Sequence, residues 1–175
     1  VRVIGGAARG RPLKAKLPPT VRPTTDYARE AIFSMLESRG GLIDLVVADL
    51  YSGSGAMGIE AMSRGAAKVY FVDSDPACLA AARANLEPLQ LHGEAVFVRA
   101  ALPVWAAPSD LDLVLADPPY GPLDLASVLR GVVAHRVVIE NDRHMDAPPG
   151  WFVTKTKRYG TTLVTMLEPD EGDEE

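Results

Sequence analysis

Residues 45–58 read Leu45-Val46-Val47-Ala48-Asp49-Leu50-Tyr51-Ser52-Gly53-Ser54-Gly55-Ala56-Met57-Gly58. A short apolar run, too short for a buried helix, gives way to small residues and then to helical spacing through Ile59 and Met62 to Arg64. That order predicts a buried strand, a tight loop and a helix. Gly53, Gly55 and Gly58 spell GxGxxG in the loop. Small residues there let the backbone approach a ligand, and the helix N-terminus favours hydrogen-bonding groups.

The same alternation continues on both sides of this unit. Strands are predicted at 68–72, 95–99, 111–116 and 136–140, with helices at 76–86 and near 123–133. Strands apolar along their length and alternating with helices imply a mostly parallel α/β sheet with helices on both faces. Upstream, Thr25 or Asp26 caps a helix carrying Ala31, Ile32, Met35 and Leu36, and Gly40-Gly41 stops it. Downstream, 151–157 and 161–167 flank Arg158-Tyr159-Gly160 and predict an antiparallel hairpin at the sheet edge. Residues 1–25 read as a short strand at 2–4, a Gly-rich turn and an extended Pro-containing segment.

The 175 residues therefore fit one domain, with 26–167 as its body, 1–25 as an N-terminal arm or hairpin, and 168–175 as an acidic, disordered tail. The formal net charge of −5 argues at first against a nucleic-acid partner. Its distribution says otherwise. Arg2, Arg9, Arg11, Lys14, Lys16 and Arg22 make the segment 1–25 strongly basic, at +6, while 168–175 carries −6 and 26–167 carries −5. A segment rich in Lys and Arg and free of carboxylates suits a polyanion, with Arg9, Arg11, Lys14, Lys16 and Arg22 as its phosphate contacts. One cysteine, Cys78, excludes a disulfide scaffold and a cysteine-ligated zinc site, and fits a reducing cytoplasm. His92, His135 and His144 lack ligand spacing, so no metal is expected. No apolar run approaches the length of a bilayer-crossing helix, so no membrane span is expected, and the opening Val1-Arg2-Val3-Ile4-Gly5 lacks the apolar stretch of a signal peptide. A monomer is the default.

Two cofactors compete for the glycine loop. Asp73 ends the next strand, downstream of Gly53 at the spacing where a carboxylate can accept from ribose hydroxyls. A nicotinamide dinucleotide would place its pyrophosphate on the helix, whereas S-adenosylmethionine has ribose and adenine but no phosphate. Asp49, just before the loop in the pattern D-x-x-x-G-x-G, favours the second: it would repel a pyrophosphate and can pair with the ammonium of a methionine moiety. Ser54 and Ser74 stand beside these groups.

Asp117-Pro118-Pro119-Tyr120 follows the fourth predicted strand. Two consecutive prolines fix φ and remove two N–H donors, so the loop offers acceptors beside an aromatic ring. Asp117 and the Pro118 carbonyl can hold both hydrogens of an exocyclic amine while Tyr120 stacks on the base. Drawing the amine out of conjugation frees its lone pair to attack a methyl group, and Asp117 or solvent takes the proton.

The order of D-x-x-x-G-x-G, an acidic strand end and DPPY resembles the class I S-adenosylmethionine-dependent amino-methyltransferases. Residues 1 to about 167 are more closely similar to the bacterial 16S rRNA guanine-N2 methyltransferase family (RsmD-like). The resemblance is carried by Arg2-Val3-Ile4-Gly5-Gly6 with Arg9-Gly10-Arg11-Pro12-Leu13, by Arg22-Pro23-Thr24-Thr25-Asp26 with Arg29-Glu30 and Phe33, and by Thr156-Lys157-Arg158-Tyr159-Gly160. It implies a seven-stranded Rossmann-like sheet with an antiparallel last strand. It also implies cofactor contacts from Gly53, Ser54, Gly55 and Asp73, a guanine held by Asp117 to Tyr120, and the Arg22–Thr24 segment over the pocket. The substrate so implied is 16S rRNA or a small-subunit assembly intermediate. Ala100-Ala101 departs from the family in offering only backbone where an Asp or Asn usually accepts from adenine. The other readings are an adenine-N6 methyltransferase, an NAD-binding oxidoreductase and a non-catalytic RNA-binding assembly factor.

Overall fold

A computed structural model describes residues 1–21 and 25–172. Its centre is a seven-stranded sheet in the order β3-β2-β1-β4-β5-β7-β6. β1 (Val46–Leu50), β2 (Lys68–Asp73), β3 (Glu94–Arg99), β4 (Leu113–Ala116) and β5 (Arg136–Asn141) are parallel to one another. β7 (Thr162–Pro169) runs antiparallel between β5 and β6 (Trp151–Tyr159), which forms one edge. Side chains of the central strands alternate between two cores. Val47, Leu113 and Leu115 face one, while Ala48, Val114 and Ala116 face the other, as a sheet buried on both faces requires.

The first core is covered by α1 (Asp26–Glu37), α2 (Ala56–Ser63) and α3 (Pro76–Leu86). Thr25 caps α1 by accepting from the Ala28 N–H, and Asp75 caps α3 by accepting from Ala77. The second face is thinner than the sequence pattern predicts. The helix expected near 123–133 is a single turn, α4 (Leu125–Val128), because Gly131 enters the left-handed region at φ 73° and turns the chain. Loops carrying Leu102, Trp105 and Ala107 complete this layer.

The basic N-terminal segment is a docked hairpin. Arg2 bridges Pro12, and Val3, Ala8 and Leu13 are buried in the first core. Its anchor is the fully buried carboxylate of Glu60 on α2. One oxygen accepts from the Ile4 N–H at 2.8 Å, and the other accepts from Gly5 at 2.7 Å and from Arg64 Nε at 2.9 Å. Gly6 packs so closely on the Ser63 carbonyl that a Cβ would lie 1.9 Å from its oxygen. Buried Arg29 closes the cluster, donating to the Arg2 carbonyl and to Asp26, with Nε 3.8 Å from Glu60. Hence 1–21 is not an independent arm in shape, although Arg9, Arg11, Lys14 and Lys16 remain exposed along it.

The division placed between 167 and 168 falls inside β7. Glu168 sits in the strand, accepting from Arg136 Nε and Nη2 at 3.1 Å, and the Asp170 N–H donates to Gly150. Asp173 to Glu175 lie outside the described residues.

Removing one member of a buried ion cluster strands its partner without compensation. Glu60→Gln should therefore cost about 3–5 kcal/mol in urea denaturation and open residues 1–12 to limited proteolysis.

Candidate active site at the switch point

Strand order reverses beside β1. The chain passes outward from β1 to β2 and β3, then crosses back to β4 on the opposite side. Crossovers that leave in opposite directions open a crevice at the carboxyl ends of the two strands. A cleft of ≈ 280 Å³ lies there, lined by Thr20, Val21, Thr25, Tyr51, Gly53, Asp73, Asp117, Pro118, Pro119, Tyr120 and Glu140. A smaller cavity of ≈ 40 Å³ shares Val21, Tyr51, Gly53 and Asp117 with it and reaches Asp49, Ser52 and Ser54.

The carboxylates are held by the backbone around them. Asp73 Oδ2 accepts from the Gly53 N–H and Oδ1 from the Asp75 N–H, both at 2.9 Å, so β2 fixes the glycine loop that follows β1. Asp49 is buried at the base of α2 and accepts from the Gly58 N–H at 2.9 Å. Its pKa is pushed well above the ordinary 3.8, first by burial and then by the charges of Asp117 and Asp73, against the pull of the Gly58 hydrogen bond. Tyr51, at φ 58°, takes a left-handed conformation unusual for a bulky residue and swings the chain from β1 into the cleft.

On the opposite wall, Asp117-Pro118-Pro119-Tyr120 continues β4, as the sequence placed it. The Tyr120 hydroxyl is 3.1 Å from Thr162 Oγ1, which donates in turn to Glu140 Oε1 at 3.4 Å. This chain ties the proline loop to β7 and to the end of β5.

Asp49, Gly53, Ser54, Asp73 and the Asp117–Tyr120 loop thus converge on one connected site. Gly55, Ser74 and Ala100 do not line it. At Gly55 the missing Cβ faces Ala82, 2.8 Å away, so this glycine packs α2 onto α3. Ser74 offers its carbonyl to Arg99 at 3.4 Å. Ala100 donates its N–H to the Asp73 carbonyl and packs on the second core. Arg22 and Thr24 lie outside the described residues. Thr20, Val21 and Glu140 line the cleft outside every motif, Tyr51 fills an unspecified position of D-x-x-x-G-x-G, and Thr25, read as a cap, lies within the Arg22–Asp26 block. Of these, Glu140 was findable, because it stands at the carboxyl end of a parallel strand.

A family model described as "Conserved hypothetical protein 95" matches residues 1–168. The chain belongs to this family. "Putative rRNA methyltransferase YlbH" of Bacillus subtilis is 33% identical over 96% of this chain and 98% of that protein. "Ribosomal RNA small subunit methyltransferase D" of Escherichia coli is 36% identical over 69% of this chain and 60% of its own length. Among solved structures, "Putative methyltransferase yhhF" from Escherichia coli has a TM-score of 0.77 at 30% identity, covering 97% of each chain. An RNA methyltransferase from Salinibacter ruber, solved with S-adenosyl-L-homocysteine, shares the fold at a TM-score of 0.65 and 21% identity, covering 88% of this chain and 98% of its own.

The lining fits S-adenosylmethionine, the cofactor of such methyltransferases. The charged side chains among the described lining residues of both cavities are all carboxylates, namely Asp49, Asp73, Asp117 and Glu140, which suits a ligand carrying an ammonium and a sulfonium. Ser52 Oγ, buried without a hydrogen-bond partner, borders the smaller cavity and can meet a polar ligand atom. Cys78 is buried in α3, and burial, with the charges of Asp73 and Asp75, pushes its thiol up to about 11, which disfavours the thiolate. No group of three His, Cys, Asp or Glu among the described residues could hold a metal ion. No described helix is long and apolar enough to cross a membrane.

A raised folded pKa means that ionising Asp49 costs stability, so the unliganded protein should lose stability as pH rises from about 3.8 through the raised value. A bound ammonium reverses that cost. Calorimetric affinity for S-adenosylhomocysteine should therefore strengthen as pH rises through the same window. Asp49→Asn should flatten this rise and weaken binding about 10- to 150-fold, the range of a hydrogen bond to a charged group.

Proposed function

We propose that this protein transfers a methyl group from S-adenosylmethionine to the exocyclic N2 amine of a guanine in 16S rRNA, as naked RNA or within a small-subunit assembly intermediate, in the cytoplasm. The observation that carries this reading is the convergence of Asp73 and Gly53 with the Asp117-Pro118-Pro119-Tyr120 loop around one cleft. Cofactor-type and amine-type groups stand on opposite sides of the same cavity, as direct transfer between two bound molecules demands.

Bound there beside Asp49, Gly53 and Asp73, S-adenosylmethionine would supply an electrophilic methyl on a sulfonium, with a neutral thioether as leaving group. The chain's own residues prepare the nucleophile. Asp117 and the Pro118 carbonyl accept from the two amine hydrogens and favour the pyramidal, localised lone pair needed for attack. The methylated nitrogen would shed its surplus proton through Asp117 to solvent. Tyr120 stacks on the base, its ring steadied by the bond to Thr162. Thr20, Val21 and Thr25 complete the wall of the cleft. A guanine inside a duplex could not reach Asp117, so the target is unpaired or flipped out. Exposed Arg9, Arg11, Lys14 and Lys16 supply sequence-independent phosphate contacts.

A nicotinamide dinucleotide fits less well, since the acidic lining would meet its pyrophosphate with like charge. Adenine N6 shares the required amine, so the modified nucleoside must be read directly. Mass spectrometry of nucleosides from methylated 16S rRNA should find N2-methylguanosine, and N6-methyladenosine in its place would overturn the guanine reading. Asp117→Ala should lower turnover at least about 100-fold, the contribution typical of a positioned acid–base group, with S-adenosylhomocysteine affinity within about tenfold.

A further inference from the structure

Apart from Thr162, the basic hairpin at the β6 edge has no part in the chemistry above, yet it reaches the mouth of the cleft by two routes. Residues 151–167 contain Lys155, Lys157 and Arg158 and no Asp or Glu. Tyr159, the last residue of β6, pairs with Thr162, and Thr162 is bonded to the Tyr120 hydroxyl in the cleft wall. On the other route, Thr25 lines the cleft and caps α1, and Tyr27 follows it in the first helical turn. The Tyr27 ring meets Tyr159 edge-on, with centroids 5.7 Å apart at 79°. Lys157 Nζ lies 5.2 Å from the centre of the Tyr159 ring.

Tyr27 is 64% exposed, with one edge of its ring leaning on Tyr159 and the rest open to solvent. Exposed apolar rings cost solvation unless something covers them, and the surroundings define what that is. Lys157 is exposed beside the Tyr159 ring on which Tyr27 leans, Asp26 is engaged by Arg29, and Glu30 lies one turn further along α1. A second copy of this face would bring like charges together. A polyanion with planar faces matches both the charge and the rings.

We infer that Tyr27, Tyr159 and Lys157 form a docking platform for the single-stranded RNA that flanks the target nucleotide. Tyr27 stacks on a neighbouring base, backed by Tyr159, while Lys157 meets an adjoining phosphate. The platform holds the strand while the target base turns into the cleft. This rests on the RNA reading of the site and adds a surface separate from the docked N-terminal hairpin.

The test uses the full chain and two substrates: a short fluorescent single-stranded RNA containing one guanine, and small ribosomal subunits from cells lacking this protein. Tyr27→Ala should weaken RNA binding roughly 5- to 150-fold, the range for loss of one base–aromatic stack, while Tyr27→Phe binds as the parent does. Lys157→Gln should lower the slope of log K against log salt by about 0.7, the value for one single-strand phosphate contact, whereas Arg158→Gln, on the other face of β6, should leave it unchanged. Tyr27→Ala and Lys157→Gln should each keep S-adenosylhomocysteine affinity and kcat on subunits within about twofold, with KM raised. Unchanged RNA affinity in Tyr27→Ala and unchanged slope in Lys157→Gln, with the parent protein still methylating subunits, would overturn the platform and leave the proposed function standing. Equal losses for Tyr27→Ala and Tyr27→Phe would overturn stacking. A parent protein that binds S-adenosylhomocysteine but methylates neither substrate would overturn the proposed function, and the platform with it.

Discussion

Parallel pairing of β1 with both β2 and β4 sets where everything else can be. Each strand of such a sheet ends in a loop on the same side, and only beside β1 do successive crossovers diverge. The glycine loop after β1 and the proline loop after β4 are therefore neighbours in space, although Gly53 and Asp117 stand far apart along the chain. Asp73 then joins the end of β2 to the same point by accepting from the Gly53 N–H. Remove that geometry and the acidic groups would be scattered loop residues with nothing in common.

Carboxylates gathered in one cleft repel one another, and the protein tolerates this unevenly. Asp73 has both oxygens held by backbone N–H groups, which satisfies the charge locally. Asp49 has burial and two acidic neighbours against it and one N–H in its favour. Burial and acidic neighbours make Asp49 costly to ionise, and a cation placed beside it would relieve that cost. The buried Glu60 cluster on α2 follows a different logic, since its charges are matched by Arg29 and Arg64 and fix the N-terminal hairpin.

Much of this was legible in the sequence because local signals and global fold agree. Strand–loop–helix order, Pro76 at a helix start and the 151–167 hairpin each follow from short-range preferences. What the sequence concealed depends on tertiary contact. Gly55 and Gly58 look like ligand-facing glycines, yet Ala82 and Phe71 occupy the space their side chains would need. The basic arm looks free until Glu60, distant in the chain, accepts from its backbone. Glu168 looks like the start of an acidic tail until Arg136 is placed across from it. The helix near 123–133 failed because apolar periodicity continued past a glycine that had already ended it.

β6 is an edge strand, and an edge is an open template on which another chain can add itself. It carries Phe152 and Val153, both exposed, at one end, which would invite such pairing. The bulge between Val153 and Lys155 interrupts a flat run of hydrogen-bonding groups, and Lys155, Lys157 and Arg158 load the remainder with like charge. A partner strand of the same sequence would have to stack those cations against their own copies. The edge thus resists self-pairing without a helix to cover it.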